Sequence, residues 1–212
     1  MKTPFVYFLR YIGLPLTELF IDKIKGEENI PDHNRFIVAA NHLNGRDHFF
    51  IVDVLKDRIK NIRFVGAMDN LDLLLRSSLL YYLADVIKIH REKESRENIL
   101  EKISKNLKND QIIVIYPEGD SNSKNKLLKG KTGIAELVLQ EKVPVLPIGL
   151  RIGKNGRVIK IGKLMKFKKE IQKFKKEGNP KKHHLLLRQI TDKIMNTISI
   201  LSQKPYLYEK NQ

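Results

Sequence analysis

Cysteine is absent from the 212-residue sequence, which excludes disulfides, thiolate nucleophiles and cysteine metal sites and suits a reducing compartment. A helix that spans a bilayer needs about 20 predominantly apolar residues, and no such run occurs uninterrupted. The most apolar stretch, residues 4–21, is broken by Arg10, Gly13, Pro15 and Glu18. It also lacks a small-residue cleavage site of the signal-peptide kind. It is therefore expected to form an interfacial helix, or a pair of short helices, lying on a bilayer and flanked by Lys2, Lys23 and Lys25. Packing of that element on the domain's own core is the alternative. Zinc-ligand spacing, an RNA-binding aromatic motif and a helix-turn-helix are all missing, so no nucleic-acid partner is expected. Nor does any metal or tightly held cofactor follow from the sequence.

Acidic residues are few. Asp and Glu number 24 against 40 Lys and Arg, a formal charge of +16 that implies polyanionic partners such as an anionic membrane surface or phosphate-bearing substrates. The surplus is concentrated in residues 154–182, where 12 Lys and Arg face 2 Glu. Phe167, Ile171 and Phe174 interleave with these lysines, and the segment is expected to face a membrane or attract phosphate.

What remains describes a folded chain. Hydrophobic residues make up 42% and charged residues 30%, which at this length fits one domain with a sizeable core. Short apolar runs at 35–40, 62–66, 86–89, 111–116, 145–150 and 157–161 predict strands. Helical periods lie between them at 48–56, 71–83, 95–107 and 132–140, and a stripe of Leu187, Ile190, Ile194, Ile198 and Leu201 follows Pro180. Alternating strands and helices predict an α/β fold, a mostly parallel central sheet flanked by helices. The expected organisation is a membrane-associating helical segment at 1–25 followed by one α/β domain at 26–212.

Three polar clusters fall where predicted strands end, the edge at which open α/β sheets bind ligands. Asn41-His42-Leu43-Asn44-Gly45-Arg46-Asp47 follows the first of them. A carboxylate that holds an imidazole by one ring nitrogen leaves the other free to take a proton from a hydroxyl. Arg91 closes Val86-Ile87-Lys88-Ile89-His90, and a guanidinium there suits a phosphate. Val114-Ile115-Tyr116-Pro117-Glu118-Gly119-Asp120 runs from a buried strand into a turn that presents Glu118 at the rim. His48 and His90 neighbour these residues, and neither is given a role.

Asn41-His42 with Asp47, then Arg91, then Tyr116-Pro117-Glu118-Gly119, then Val143-Pro144-Val145-Leu146-Pro147 resemble the four ordered blocks of the glycerolipid acyltransferases. The nearest likeness is to bacterial 1-acyl-sn-glycerol-3-phosphate acyltransferases. The resemblance implies an O-acyltransferase at the cytoplasmic face of the membrane, peripheral or monotopic. It would move a fatty acyl group from acyl-carrier protein or coenzyme A to a lysophospholipid, giving phosphatidic acid from 1-acyl-sn-glycerol-3-phosphate. It also implies His42 as general base, Asp47 as its orienter, and Arg91, Glu118 and Gly119 as acceptor-binding residues, with Glu118 on hydroxyls or positioning a cation. The amides that open the helix after Asp47 would face the cleft and favour anions.

Two departures stand out. Asn44 replaces the usual serine, and Asp120-Ser121-Asn122 replaces the usual Thr-Arg-Ser after Gly119. The missing arginine leaves Lys124, Lys126, Lys129 or Lys131 to supply positive charge, and leaves two alternatives open. These are another lysolipid acceptor, or a non-catalytic, basic membrane-surface protein on a degenerate acyltransferase fold.

Overall fold

The computed structural model describes residues 19–67, 86–176 and 180–208. Its strands are β1 (Ile21–Lys25), β2 (Ile37–Ala40), β3 (Ile62–Ala67), β4 (Val86–Ile89), β5 (Ile112–Ile115), β6 (Val145–Ile152) and β7 (Arg157–Ile161). Its helices are α1 (Asp47–Val54), α2 (Arg96–Lys108), α3 (Gly133–Glu141), α4 (Lys168–Lys176) and α5 (Pro180–Ser202). The strands form one sheet in the order β1-β7-β6-β2-β5-β3-β4. Strands β2 to β6 run parallel, β7 runs against β6, and β1 runs parallel to β7. The predicted α/β architecture is thus present, with a reversed pair of strands at one side.

Strand β2 lies at the centre between β5 and β6, and all four of its residues are fully buried. Val38 and Ala40 pack with α1 on one face, while Ile37 and Ala39 pack with α2, α3 and α5 on the other. A strand buried on both faces reads in sequence as an unbroken apolar run, and this one does. Helix α2 starts where the pattern predicted, because the Ser95 side chain accepts the amide of Asn98 as an N-cap.

Two expectations are corrected. Residues 21–25, assigned to the N-terminal helical segment, form edge strand β1, whose backbone pairs with Arg157 to Lys160 of β7. Its burial alternates weakly, so hydrophobicity gave little sign of it. The remainder of that segment, residues 1–18, and the helix predicted at 71–83 lie outside the described residues. The second correction concerns the lysine-rich segment. Phe167 is buried, and Ile171 and Phe174 on α4 pack half-buried against the core beside α5, so these apolar groups face inward. The lysines of α4 remain outside. Among the described residues no helix is long and apolar enough to cross a membrane.

The segment after α5 closes over the site edge. Leu127 N–H donates to the Pro205 carbonyl (3.0 Å), Lys204 Nζ donates to the Lys124 carbonyl (2.7 Å), and Arg188 Nη1 donates to the Gly130 carbonyl (2.7 Å). Tyr206 Oη donates to Asp192 (2.6 Å); burial, then that hydrogen bond, pushes its phenol well above the ordinary value, so it stays neutral.

Candidate active site

Asn41 fixes the point where the chain leaves β2. Its amide Nδ2 donates to the Leu150 carbonyl (2.9 Å) and its Oδ1 accepts the Leu150 amide (2.7 Å), so the buried side chain replaces a strand partner. The loop that follows is organised by Asp47. Its Oδ2 accepts the amide of Asn44 at 2.8 Å, the amide of Leu43, and His42 Nδ1 at 3.0 Å. A carboxylate only accepts, so the neutral form of His42 carries its proton on Nδ1 and leaves Nε2 as the accepting nitrogen. Asn44 Oδ1 accepts the Arg46 amide (3.0 Å), a turn that Ser and Asn both favour, which accounts physically for this departure from the family pattern.

Amides of the loop leading into α1, and that of its first residue, are consumed locally. Leu43 and Asn44 donate to Asp47 Oδ2, Arg46 to Asn44 Oδ1, and Asp47 to the Asn44 carbonyl. They are not directed at a bound anion.

Glu118 is also corrected. It is buried at 2% exposure and is not on the cavity wall. Its Oε1 accepts the His42 amide (3.2 Å), and its Oε2 accepts Asn122 Nδ2 (2.8 Å) and the Leu128 amide (2.7 Å). Asn122 in turn donates its amide to the His42 carbonyl (2.6 Å). Glu118 and Asn122 therefore hold the His42 backbone from both sides, and the carboxylate's hydrogen bonds go to the protein's own amides.

The other expected residues meet at one opening. Arg91 donates through Nη2 to the Gly119 carbonyl and through Nη1 to Asp120 (3.3 Å), and Lys131 Nζ lies 3.9 Å from the same carboxylate. Gly119 sits at φ +81°, a conformation that strains any residue with a Cβ, and closes the turn by donating to the Tyr116 carbonyl (3.0 Å) beside the Lys131 side chain. Of the four lysines considered for the missing arginine, Lys131 lines the cavity.

That cavity has a volume of about 520 Å³, within the range of small-molecule sites. His42, His48, Arg91 and Lys131 line its polar part, and Ile99, Leu100, Ile103, Ile134 and Leu137 its apolar part, between α2 and α3. Tyr116 lies under His42, rings stacked with centroids 4.1 Å apart. Burial, then the charge of Asp47, pushes its phenol well above the ordinary value, so it stays neutral. No group of three or more His, Asp or Glu suited to a metal ion occurs among the described residues.

His48 is the site residue that sequence reasoning passed over. Its Nδ1 donates to the Gly45 carbonyl (3.1 Å), and its ring meets His42 edge-on with centroids 5.7 Å apart. Burial first, and the neighbouring His42 second, lower its pKa from 6.5 to about 4; the Gly45 contact and Asp47 oppose the shift. It is neutral at pH 7. Between pH 6.5 and about 4 the unfolded chain binds this proton and the folded one does not, so stability falls as pH drops through that window, by up to about 3 kcal/mol. His48→Gln is expected to flatten that loss. Urea denaturation of both proteins at pH 7.5 and pH 4.5 checks it, and equal losses would rule it out.

Known proteins share this architecture. A family model described as Acyltransferase matches residues 23–151. The 1-acyl-sn-glycerol-3-phosphate acyltransferase alpha of Mus musculus is 27% identical over 128 residues, which are 59% of this chain and 44% of that protein. The beta enzyme of Homo sapiens is 26% identical over 128 residues, 59% of this chain and 45% of that protein. The chain thus spans less than half the length of these curated relatives. In fold it is similar to the crystal structure of the 1-acyl-sn-glycerophosphate (LPA) acyltransferase PlsC from Thermotoga maritima. The TM-score is 0.57 at 18% identity, covering 91% of this chain and 78% of that one.

Proposed function

Because the chain belongs to the acyltransferase family, of the 1-acyl-sn-glycerol-3-phosphate acyltransferase type, we propose that it transfers a fatty acyl group from an acyl thioester to the free hydroxyl of a lysophospholipid. The acceptor in this reading is 1-acyl-sn-glycerol-3-phosphate and the product phosphatidic acid. The observation that carries it is a histidine with a bare Nε2, locked in that tautomer by a buried carboxylate, at the polar end of an apolar cavity.

His42 Nε2 takes the hydroxyl proton as the alkoxide attacks the thioester carbonyl. Asp47 holds the ring and stabilises the imidazolium that forms. The tetrahedral intermediate collapses, the C–S bond breaks, and the thiolate leaves with the proton from His42. No covalent acyl-enzyme is required. Arg91 and Lys131 supply the positive charge for the acceptor's phosphate, which takes the place of Asp120 between them. The apolar wall between α2 and α3 receives an acyl chain. The lipid acceptor puts the reaction at a membrane surface, on its cytoplasmic side where acyl-carrier protein and coenzyme A thioesters are available. The lysines of residues 154–182 favour anionic lipid and an acidic donor protein.

One observation favours a second reading. Asp120 already pairs with both cations, which suits a lysolipid acceptor without a phosphomonoester. A panel of lysolipids with acyl-coenzyme A and acyl-carrier protein as donors separates the two. Fastest product formation with lysophosphatidic acid is expected. Preference for another lysolipid selects the second reading, and acylation of nothing while the protein binds anionic vesicles would overturn the enzymatic one.

A further inference from the structure

The two oxygens of Asp47 are used unequally. Oδ2 takes the His42 ring and two backbone amides, whereas Oδ1, fully buried, accepts no hydrogen bond and is faced by Arg157 Nη2 at 3.6 Å. Arg157 is itself buried at 8% exposure, and its guanidinium lies 5.4 Å from the centre of the Phe50 ring on α1. Its position follows from the topology. Because β7 runs against β6, the first residue of β7 arrives at the edge where the parallel strands end, and Arg157, Ile159 and Ile161 turn alternately towards α1. It lies beyond the stretch that the family model matches.

We propose that Arg157 is a positioning residue for the dyad. While His42 is neutral, the guanidinium compensates a carboxylate that would otherwise be a bare charge in the core. By taking Oδ1 it keeps Oδ2 turned to His42 Nδ1. The other groups that bear on Asp47 are His42 in the same loop, His48 on α1, Tyr116 after β5 and, more distantly, Lys204 after α5. Of these, His48 and the Tyr116 phenol are neutral, and Lys204 bonds to the carbonyls of Asn122 and Lys124 instead. Without Arg157 the carboxylate swings towards water, and the imidazole loses its orientation.

As a claim about catalysis this rests on the acyl-transfer reading, so the test has a readout that does not need turnover. The proton shared between His42 Nδ1 and Asp47 is sought at low field in the proton NMR spectrum and assigned by its absence in His42→Ala. Arg157→Met keeps the apolar stem against Phe50 and removes the charge; it is expected to lose the resonance and to lower kcat about 10²-fold with the acceptor KM unchanged. Arg157→Lys restores the charge and is expected to regain the resonance and most of the rate. Retention of the resonance in Arg157→Met, or its loss in Arg157→Lys, overturns the proposal. The lysine variant decides alone if the methionine variant does not fold. A wild type inactive on every lysolipid defeats the acyl-transfer reading and leaves the resonance to decide on Arg157.

Discussion

His42→Ala is expected to lower kcat for lysolipid acylation by about 10²–10⁴-fold, the contribution of a positioned general base, with little change in the acceptor KM. The ring reaches the cavity with 16% of its side chain exposed, and Asp47 holds it through Nδ1. His48 does not substitute for it. Its Nδ1 is held by a backbone carbonyl, which cannot stabilise an imidazolium as Asp47 does, and its depressed pKa makes it a weak base. Loss of the stack on Tyr116 costs about 1 kcal/mol, too little to unfold the domain. Steady-state kinetics beside a thermal melt separate the two effects. Turnover within threefold of wild type would remove His42 from the mechanism.

The largest loss of stability is expected at Glu118. Alanine there leaves the amides of His42 and Leu128 and the Asn122 side chain without their acceptor, at about 3–5 kcal/mol in all. Glutamine is the informative change. Placing its oxygen at Oε2 satisfies two donors, and its NH2 then meets the His42 amide, so the fold survives and the dyad loop is released. Glu118→Gln is therefore expected to lose kcat at an almost constant acceptor KM. A carboxylate that bound acceptor hydroxyls would give the opposite split, a raised KM. Measuring both constants over an acceptor titration decides between these roles.

Elements with a strong local signature were legible in the sequence. β2 is an apolar run because both its faces are covered, α2 has its Ser95 cap, and the stripe on α5 keeps its period. His42 and Asp47 were legible because one short loop holds both. What escaped notice depends on contacts distant in the chain. Strand β1 is defined by backbone pairing with β7. Glu118 looked like a rim residue because its turn chemistry is visible in sequence, while the amides that consume its charge are not. Arg157 was one cation among many in a lysine-rich stretch until the fold put it against Asp47.

The closure of residues 203–208 over the loop at 118–131 bears on how the protein is made. On the ribosome His42 and Asp47 emerge early, and their supports, from Arg157 to Tyr206, emerge later. Until then the loop that carries Glu118 and Asn122 lacks the backbone partners that hold it, and the His42 backbone lacks its brace. The geometry of the His42–Asp47 pair therefore depends on segments made well after it, and it forms only once those segments have folded back onto the sheet.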